Sequence, residues 1–177
     1  CGNGRLAQFL EDDWISERNG TIESYRGLDQ NPALLQHAKN TSHSFPCKWG
    51  SWSWADVIDR DPTHEQAHGA GYDWVTLFGV MHHVFGHKRR LALVEWASQW
   101  VRPGGVISLS IWDFGAWPRW DKKRLPWENY AEEWSLEIGT LESGDYLLGW
   151  SGHHDTPRYC HWMDPDEEQR FVRDLNS

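Results

Sequence analysis

The chain has 177 residues, the size of one domain and long enough to bury a substantial core. Hydrophobic residues make up 39% and charged residues 24%, which excludes a disordered tail, and no apolar run approaches the ~20 residues that span a bilayer. A net charge of −9 excludes a protein that coats nucleic acid indiscriminately, while leaving room for a local basic patch.

Cys1-Gly2-Asn3-Gly4 is too rich in glycine for a strand, and a helical pattern follows it at once, with Leu6, Phe9, Leu10 and Trp14 on one face. Ser24 to Leu28 predicts a short strand ending at Asp29. Asn31-Pro32 then reads as an N-cap with proline in the first helical position, and Leu34, Leu35 and Ala38 continue that helix. Residues 41–50 are polar and loop-like, and Ser51 to Ala55 is a poorly patterned strand. A loop with His64 and His68 leads to a better strand, Tyr72 to Val80. The next helix carries Leu93, Trp96, Ala97, Trp100 and Val101 on one face and stops at the turn Arg102-Pro103-Gly104-Gly105. Val106 to Trp112 is again a strand. This alternation predicts an α/β fold with parallel strands and helices on both faces.

After Trp112 the composition turns to tryptophan, proline and charge, with a short helix expected over Pro126 to Trp134. Asp145 to Trp150 and Arg158 to Met163 read as an antiparallel hairpin added to the core. Asp164-Pro165 caps a last helix with Phe171, Val172 and Leu175 inward. The whole reads as one domain: an α/β core over 1–114, a lid and hairpin over 115–163, and a terminal helix over 164–177. Cys1, Cys47 and Cys160 form an odd, widely spaced set that suits reduced thiols in a cytoplasmic protein, and no secretory signal is visible. The 14 tryptophans suggest an aromatic-lined cavity beside ordinary core packing.

Gly2-Asn3-Gly4 before a helix lets a ligand approach the backbone and meet the helix N-terminus. Gly2, Gly4 and Ala7 equally fit the G-x-G-x-x-A dinucleotide pattern or a plain turn. Asp29 lies at the end of the next strand, where a carboxylate can accept from both hydroxyls of a ribose. His82-His83 follows Phe78-Gly79-Val80-Met81, at the carboxyl end of a strand, where doubly wound sheets bind ligands.

Taken in order, Cys1-Gly2-Asn3-Gly4, Gly27-Leu28-Asp29-Gln30-Asn31-Pro32, Tyr72-Asp73-Trp74-Val75 through His82-His83, and Arg102-Pro103-Gly104-Gly105 resemble the class I, type 11, S-adenosylmethionine-dependent methyltransferases. The resemblance covers residues 1 to about 114 and implies a Rossmann-like sheet. It implies S-adenosylmethionine as cofactor, with Gly2 and Gly4 at its methionine part, Asp29 at its ribose, Asp56 and Val57 at its adenine, Phe78 and Val80 on its sulfonium side, and Cys1, Gln30 and His83 among the other cofactor-binding residues. The family motif opens with a strand that would precede Cys1, and further strands usually follow. The expectation is therefore a sheet lacking its first and last strands, and the mean hydropathy of −0.72 agrees.

The hairpin carries a second, narrower resemblance. Gly144-Asp145 through Trp150, then Pro157-Arg158-Tyr159-Cys160-His161, is similar to a pattern in tRNA wobble-uridine carboxymethyl methyltransferases, which esterify a carboxylate on the modified base. The candidate catalytic set is accordingly Arg158, His83, His161 and Tyr159. Guanidinium suits a carboxylate acceptor through its bidentate fork, whereas a hydroxyl or amine acceptor wants a base, for which His82, His83, His161 or Asp113 qualifies. A hairpin salt bridge is the competing role for Arg158. His153, His154, Asp155, Cys160 and His161 include metal-ligand types without the spacing of a zinc site, and no metal is expected. Lys88-Arg89-Arg90 and Lys122-Lys123-Arg124 could track phosphates, with nearby tryptophans stacking on bases. The expected partners are S-adenosylmethionine and an acceptor, either tRNA or a small metabolite under a tryptophan-rich lid, with no membrane. A non-catalytic cofactor-binding subunit is the third reading.

Overall fold

The computed structural model describes residues 1–41, 43–51, 71–150 and 153–176. The chain divides into two compact units, residues 1–60 and 61–177, each containing a parallel strand pair joined through a helix.

In the first unit α1 spans Arg5–Phe9 and widens into π-helical turns over Leu10–Glu17. The expected apolar face does not hold: Ala7 is buried, but Phe9 is 56% and Trp14 47% exposed. The wider turns move Trp14 off the 3.6-residue stripe that its spacing suggested. β1 is Tyr25–Asp29. The Asn31 side chain then accepts from the amides of Ala33 and Leu34, and Pro32 opens α2, Pro32–Lys39, as expected. β2, Cys47–Ser51, pairs in parallel with β1, setting Tyr25 opposite Cys47 and Asp29 opposite Ser51. This corrects the loop expected up to Gly50 and the strand expected from Ser51, whose remaining residues, 52–55, lie outside the described residues. Cys47-Lys48-Trp49-Gly50 carries no apolar run because its partner, rather than its own pattern, selects it. The Trp49 ring covers Gly27, where a Cβ would come within 2.5 Å of that ring.

In the second unit β3 is Tyr72–Leu77, α3 is His87–Ser98 and β4 is Val101–Leu109. β3 stops earlier than expected, because Gly79 at φ 67 turns the chain into a single 3-10 turn over Met81–His83. The Arg102-Pro103-Gly104-Gly105 turn does not precede β4; it is a bulge inside it. Tyr72 pairs with Val101 and Trp74 with Val106, so the extra residues bow out opposite Asp73. Gly104 takes φ 79 there, and Arg102 Nε donates to Asp73 at 2.6 Å. Beyond Leu109 the chain makes a 3-10 segment, Pro118–Lys123, and a two-residue strand β5, Arg124–Leu125. The helix expected over Pro126 to Trp134 is one 3-10 turn, Trp127–Asn129, followed by turns that end at Ser135 with φ 49.

The predicted hairpin is present. β6, Asp145–Trp150, and β7, His153–His161, pair antiparallel, with Leu148 opposite Arg158, and β5 adds to the β6 edge. β7 begins five residues earlier than expected and ends at His161. Phe114, Leu148 and Cys160 form a buried cluster under Trp112, Trp120, Tyr146 and Trp162. α4, Pro165–Leu175, is capped by Asp164, whose carboxylate accepts from the Glu167 amide at 2.8 Å. Phe171 is buried as expected, whereas Val172 and Leu175 face solvent. No helix among the described residues is long and apolar enough to cross a membrane.

A buried ion network ties the hairpin to α3 and α4. Arg90 sits on the inward stripe of α3 with Leu93, Val94 and Ala97, and is fully buried. Its guanidinium donates to the Val84 carbonyl at 3.0 Å, to Glu142 at 2.6 Å and to Glu167 at 2.8 Å. Of Lys88-Arg89-Arg90, Arg90 is therefore withdrawn from solvent while Lys88 and Arg89 remain exposed. Removing a buried partner leaves uncompensated charge, which typically costs about 3–5 kcal/mol. Arg90→Leu is expected to lower stability by about that amount, read as a shifted midpoint at unchanged slope in urea unfolding.

Candidate active site

The site residues fall into one group in each unit. In the first unit the glycine turn folds onto the end of β1. Gly2 (φ 57) and Gly4 (φ 89) both take left-handed conformations that favour glycine. At Gly2 an added Cβ would meet nothing, so its backbone faces open space, whereas at Gly4 it would crowd Ala38 and Trp49 at 3.2–3.3 Å. The Gly2 amide donates to Asp29 Oδ2 at 2.7 Å, and the Asn31 amide to Oδ1 at 2.9 Å. The Cys1 nitrogen lies 2.7 Å from the Leu28 carbonyl oxygen. Partial burial works against ionisation of Asp29, while the amides of Asn31 and Gly2 favour it and draw its carboxyl below the usual range. An ionised carboxylate with one amide on each oxygen is fixed in direction and keeps lone pairs for hydroxyl donors. Gln30 is exposed beside it. Asp56 and Val57 lie outside the described residues, as do His64 and His68.

In the second unit the chain leaves the carboxyl end of β3 through Phe78, Gly79 and Val80, with Gly79 N donating to Ser110 Oγ at 2.9 Å. Phe78 is 46% exposed, an apolar ring open to solvent at the strand end. His82 and His83 follow, their ring centroids 4.1 Å apart. His82 packs against Trp112 at 4.8 Å, and the Arg158 guanidinium stands 5.5 Å from the centre of the same indole. Trp112 in turn meets Trp120 edge-on at 4.7 Å. Arg158, His82, His83 and Trp112 therefore form one cluster where β7 meets the turn after β3. Burial lowers the His82 pKa to about 3, and His83 and Arg158 add to the effect. His83 is also lowered, chiefly by burial, despite its bond to a carbonyl. Both imidazoles are thus neutral at pH 7. Burial pushes the Arg158 pKa down as well, yet a guanidinium stays protonated. The Cys160 thiol beside His83 is pushed up to about 11 by burial and remains protonated.

Tyr159 and His161 occupy different places from those their motif suggested. The Tyr159 carbonyl accepts from His83 Nδ1 at 3.0 Å, while its hydroxyl turns away to donate to Asp145 at 2.7 Å. Burial and that acceptor raise the phenol, which stays protonated. His161 is buried, with Nδ1 2.7 Å from Asp145 and Nε2 2.9 Å from Glu167. With both ring nitrogens engaged by carboxylates it belongs to the Arg90 network and has no free nitrogen for an acceptor. Asp113 is exposed and accepts from the Trp162 indole at 3.0 Å. Glu142, Asp145 and His161 have ligand atoms within 4.8 Å of one another, a grouping that could suit a metal. Those atoms are already committed to Arg90, Tyr159, Glu167 and backbone amides, and Arg90 supplies the positive charge. The motif reading overlooked Arg90, Glu142 and Glu167. A charged residue on the apolar stripe of α3 was the available signal.

On the lid, Lys123 lies 4.6 Å from the centre of Trp120 and Arg124 4.0 Å from that of Tyr146. Arg119 stacks near both Trp117 and Trp120. These cations cover aromatic faces that the sequence reading had offered to bases.

Residues 1–107 match the model of a methyltransferase domain family, and the chain belongs to that family. No curated protein matches it. Among solved structures it resembles a SAM-dependent methyltransferase from Methanosarcina mazei, with a TM-score of 0.62 at 16% identity over 99% of this chain and 75% of that one. It also resembles, at a TM-score of 0.47 and 15% identity over 99% of this chain and 83% of that one, a SAM-bound amino pentose methyltransferase from Micromonospora echinaspora involved in calicheamicin biosynthesis. The first likeness establishes an α/β fold shared with SAM-dependent methyltransferases.

Two shifts in the network carry opposite pH signatures. Burial opposes a charge on His161, but Asp145 and Glu167 outweigh it and raise its pKa above 6.5. The stability it adds is therefore complete below pH 6.5 and fades as pH rises through the raised value. Burial opposes ionisation of Glu167 too, yet His161 and Arg90 lower it, so its contribution is present above pH 4.5 and lost as pH falls further. The gap in thermal midpoint between the wild type and His161→Gln should be widest between pH 4.5 and 6.5 and narrow on the alkaline side. A gap that does not change with pH would remove the charged imidazole from the account.

Proposed function

We propose that this chain transfers a methyl group from S-adenosylmethionine to an acceptor that carries a carboxylate, and that Arg158 holds that carboxylate. The cofactor is the one named for both structural neighbours, and the first unit is chemically suited to it. Asp29 is ionised, directed by two amides and still able to accept from ribose hydroxyls, and the open backbone at Gly2 leaves room for the methionine part. Bound there, the cofactor supplies an electrophilic methyl group, and the chain's residues hold a nucleophile in line with it.

The observation that carries the acceptor reading is the position of Arg158. It lies half-buried over Trp112, beside His82 and His83, at the carboxyl end of β3. A guanidinium against an indole, in a site with two neutral histidines, offers a planar fork to a carboxylate. In its narrowest form the reading is methyl esterification of a carboxylate on a modified tRNA base, supported by the hairpin's sequence. A second reading, a small metabolite enclosed by the lid, is favoured by the aromatic wall of Trp112, Phe114 and Trp120. In both, the hairpin presents the acceptor through Arg158.

Asp29→Ala removes two directed acceptors for the ribose and should weaken S-adenosylmethionine binding by about 1.5–3 kcal/mol or more, measured by titration calorimetry. Preference for a nicotinamide dinucleotide in the same titration would place the glycine turn in the other class. Arg158→Ala should lower turnover strongly with cofactor affinity nearly unchanged, and Arg158→Lys should recover little. Methyl-labelled cofactor offered to tRNA and to metabolite pools reads both variants. Equal turnover by Arg158→Lys would mean that the bidentate fork is not used.

A further inference from the structure

Carboxylate binding by Arg158 leaves the role of the adjacent histidine open, and its geometry speaks to the nucleophile. A backbone carbonyl has no proton to give, so the 3.0 Å contact between His83 Nδ1 and the Tyr159 carbonyl is a hydrogen bond only if Nδ1 carries the proton. Cys160 Sγ, 4.0 Å from the same nitrogen, is a neutral thiol and places no negative charge there. The neutral imidazole has one proton, and Nδ1 holds it. Nε2 therefore bears a bare lone pair, and among the described residues nothing bonds to it. His83 as a residue is exposed, not part of the buried core.

This is the arrangement of a base whose tautomer is set by an orienting partner, here a main-chain carbonyl in β7 rather than a carboxylate. Three features keep it in that state. Burial and the Arg158 charge hold the imidazole unprotonated at neutral pH. His82, packed at 4.1 Å, is itself uncharged and adds no second positive charge beside it. Tyr159 cannot swing away, because its hydroxyl is tied to Asp145 and Asp145 to His161. A lone pair aimed at an acceptor repels a carboxylate and attracts an N–H or O–H group. If the reacting group were the carboxylate held by Arg158, Nε2 would have nothing to accept.

We propose that His83 is a catalytic base acting through Nε2, and that the acceptor is a carboxylic acid whose methylated atom is a neighbouring hydroxyl or amine. The inference rests on methyl transfer by this site with Arg158 as the anchor; it narrows the acceptor and replaces the ester form of that reading. In the step, a lone pair of the acceptor oxygen or nitrogen forms the bond to the methyl carbon. The methyl–sulfur bond breaks with its electron pair on sulfur, and the proton of the acceptor passes to His83 Nε2. An ether or an N-methyl group results, with the carboxylate unchanged.

Two measurements on the full chain test it. Nitrogen-15 histidine spectra, with His83 assigned from its loss in His83→Asn, should show Nδ1 protonated and Nε2 bare at pH 7.5; protonation on Nε2 overturns the proposal. The second uses methyl-labelled S-adenosylmethionine with tRNA and with low-mass metabolite pools as acceptors. The product should keep its label in alkali, and His83→Asn should reduce turnover by about 10²–10⁴-fold with cofactor affinity intact. Asparagine keeps a donor for the Tyr159 carbonyl and deletes the lone pair, so this variant separates a base from a merely structural ring. An alkali-labile methyl ester, or near-normal turnover by His83→Asn, overturns the proposal while leaving the Arg158 anchor standing. If no pool takes label, methyl transfer itself is what fails, and the histidine spectrum still decides the tautomer.

Discussion

Arg90 is the constraint on which the second unit depends. A guanidinium with no solvent exposure must be paired, and its partners come from distant stretches of the chain: Glu142 just before β6, Glu167 in α4 and the Val84 carbonyl after the histidine turn. Through Glu167 the network reaches His161 at the end of β7, then Asp145 at the start of β6, then the Tyr159 hydroxyl. The open end of the hairpin, where Asp145 pairs with His161, is thus tied to α3 and α4. Tyr159 is where this structural network touches chemistry. Its hydroxyl belongs to the buried ions and its carbonyl to His83, so the register that satisfies Asp145 also sets the imidazole.

That arrangement explains a division of labour within five residues of β7. Side chains alternate along a strand, so Arg158 and Cys160 face one side while Tyr159 and His161 face the other. Arg158 turns to Trp112 and the histidine pair, Cys160 fills the aromatic cluster with Phe114 and Leu148, and His161 and the Tyr159 hydroxyl turn to the ions. A motif that names Arg-Tyr-x-His as one catalytic set overlooks this parity. In the folded chain the arginine faces the candidate acceptor site, the histidine serves the scaffold, and the tyrosine contributes through its backbone.

Elements whose signal is local were legible from the sequence. The Asn31-Pro32 and Asp164-Pro165 caps, the strand from Tyr72, the α3 stripe and the hairpin all announce themselves through neighbours a few residues away. Elements selected by a remote partner were not. β2 is a strand because β1 lies beside it and Trp49 finds the bare face of Gly27, and nothing within Cys47 to Ser51 says so. The Arg102–Gly105 turn reads identically whether it precedes a strand or bulges within one; the pairing of Tyr72 with Val101 decides it. Trp14 misled through an assumed 3.6-residue period that the π-helical turns do not keep. At the candidate site, Asp29 and His83 are singled out by their positions at strand ends, whereas the Arg90 network required seeing which carboxylates a buried charge could reach.

The charge balance near His83 bears on what kind of group can react there. An arginine beside two histidines disfavours a second positive charge, and burial presses the same way, so both rings stay neutral down to acidic pH. A site meant only to stabilise an anion would gain from protonated imidazoles, and this one suppresses them. Neutral imidazole is instead the form that accepts protons. The Tyr159 carbonyl favours a proton on Nδ1 and so works against the bare Nδ1 tautomer, leaving Nε2 as the acceptor. In the proposed reading Arg158 has two effects: it attracts a carboxylate, and its field keeps the neighbouring imidazole free to receive a proton. An acceptor that uses both must present an anion and a protonated nucleophile together, at a spacing set by β7 and the turn after β3.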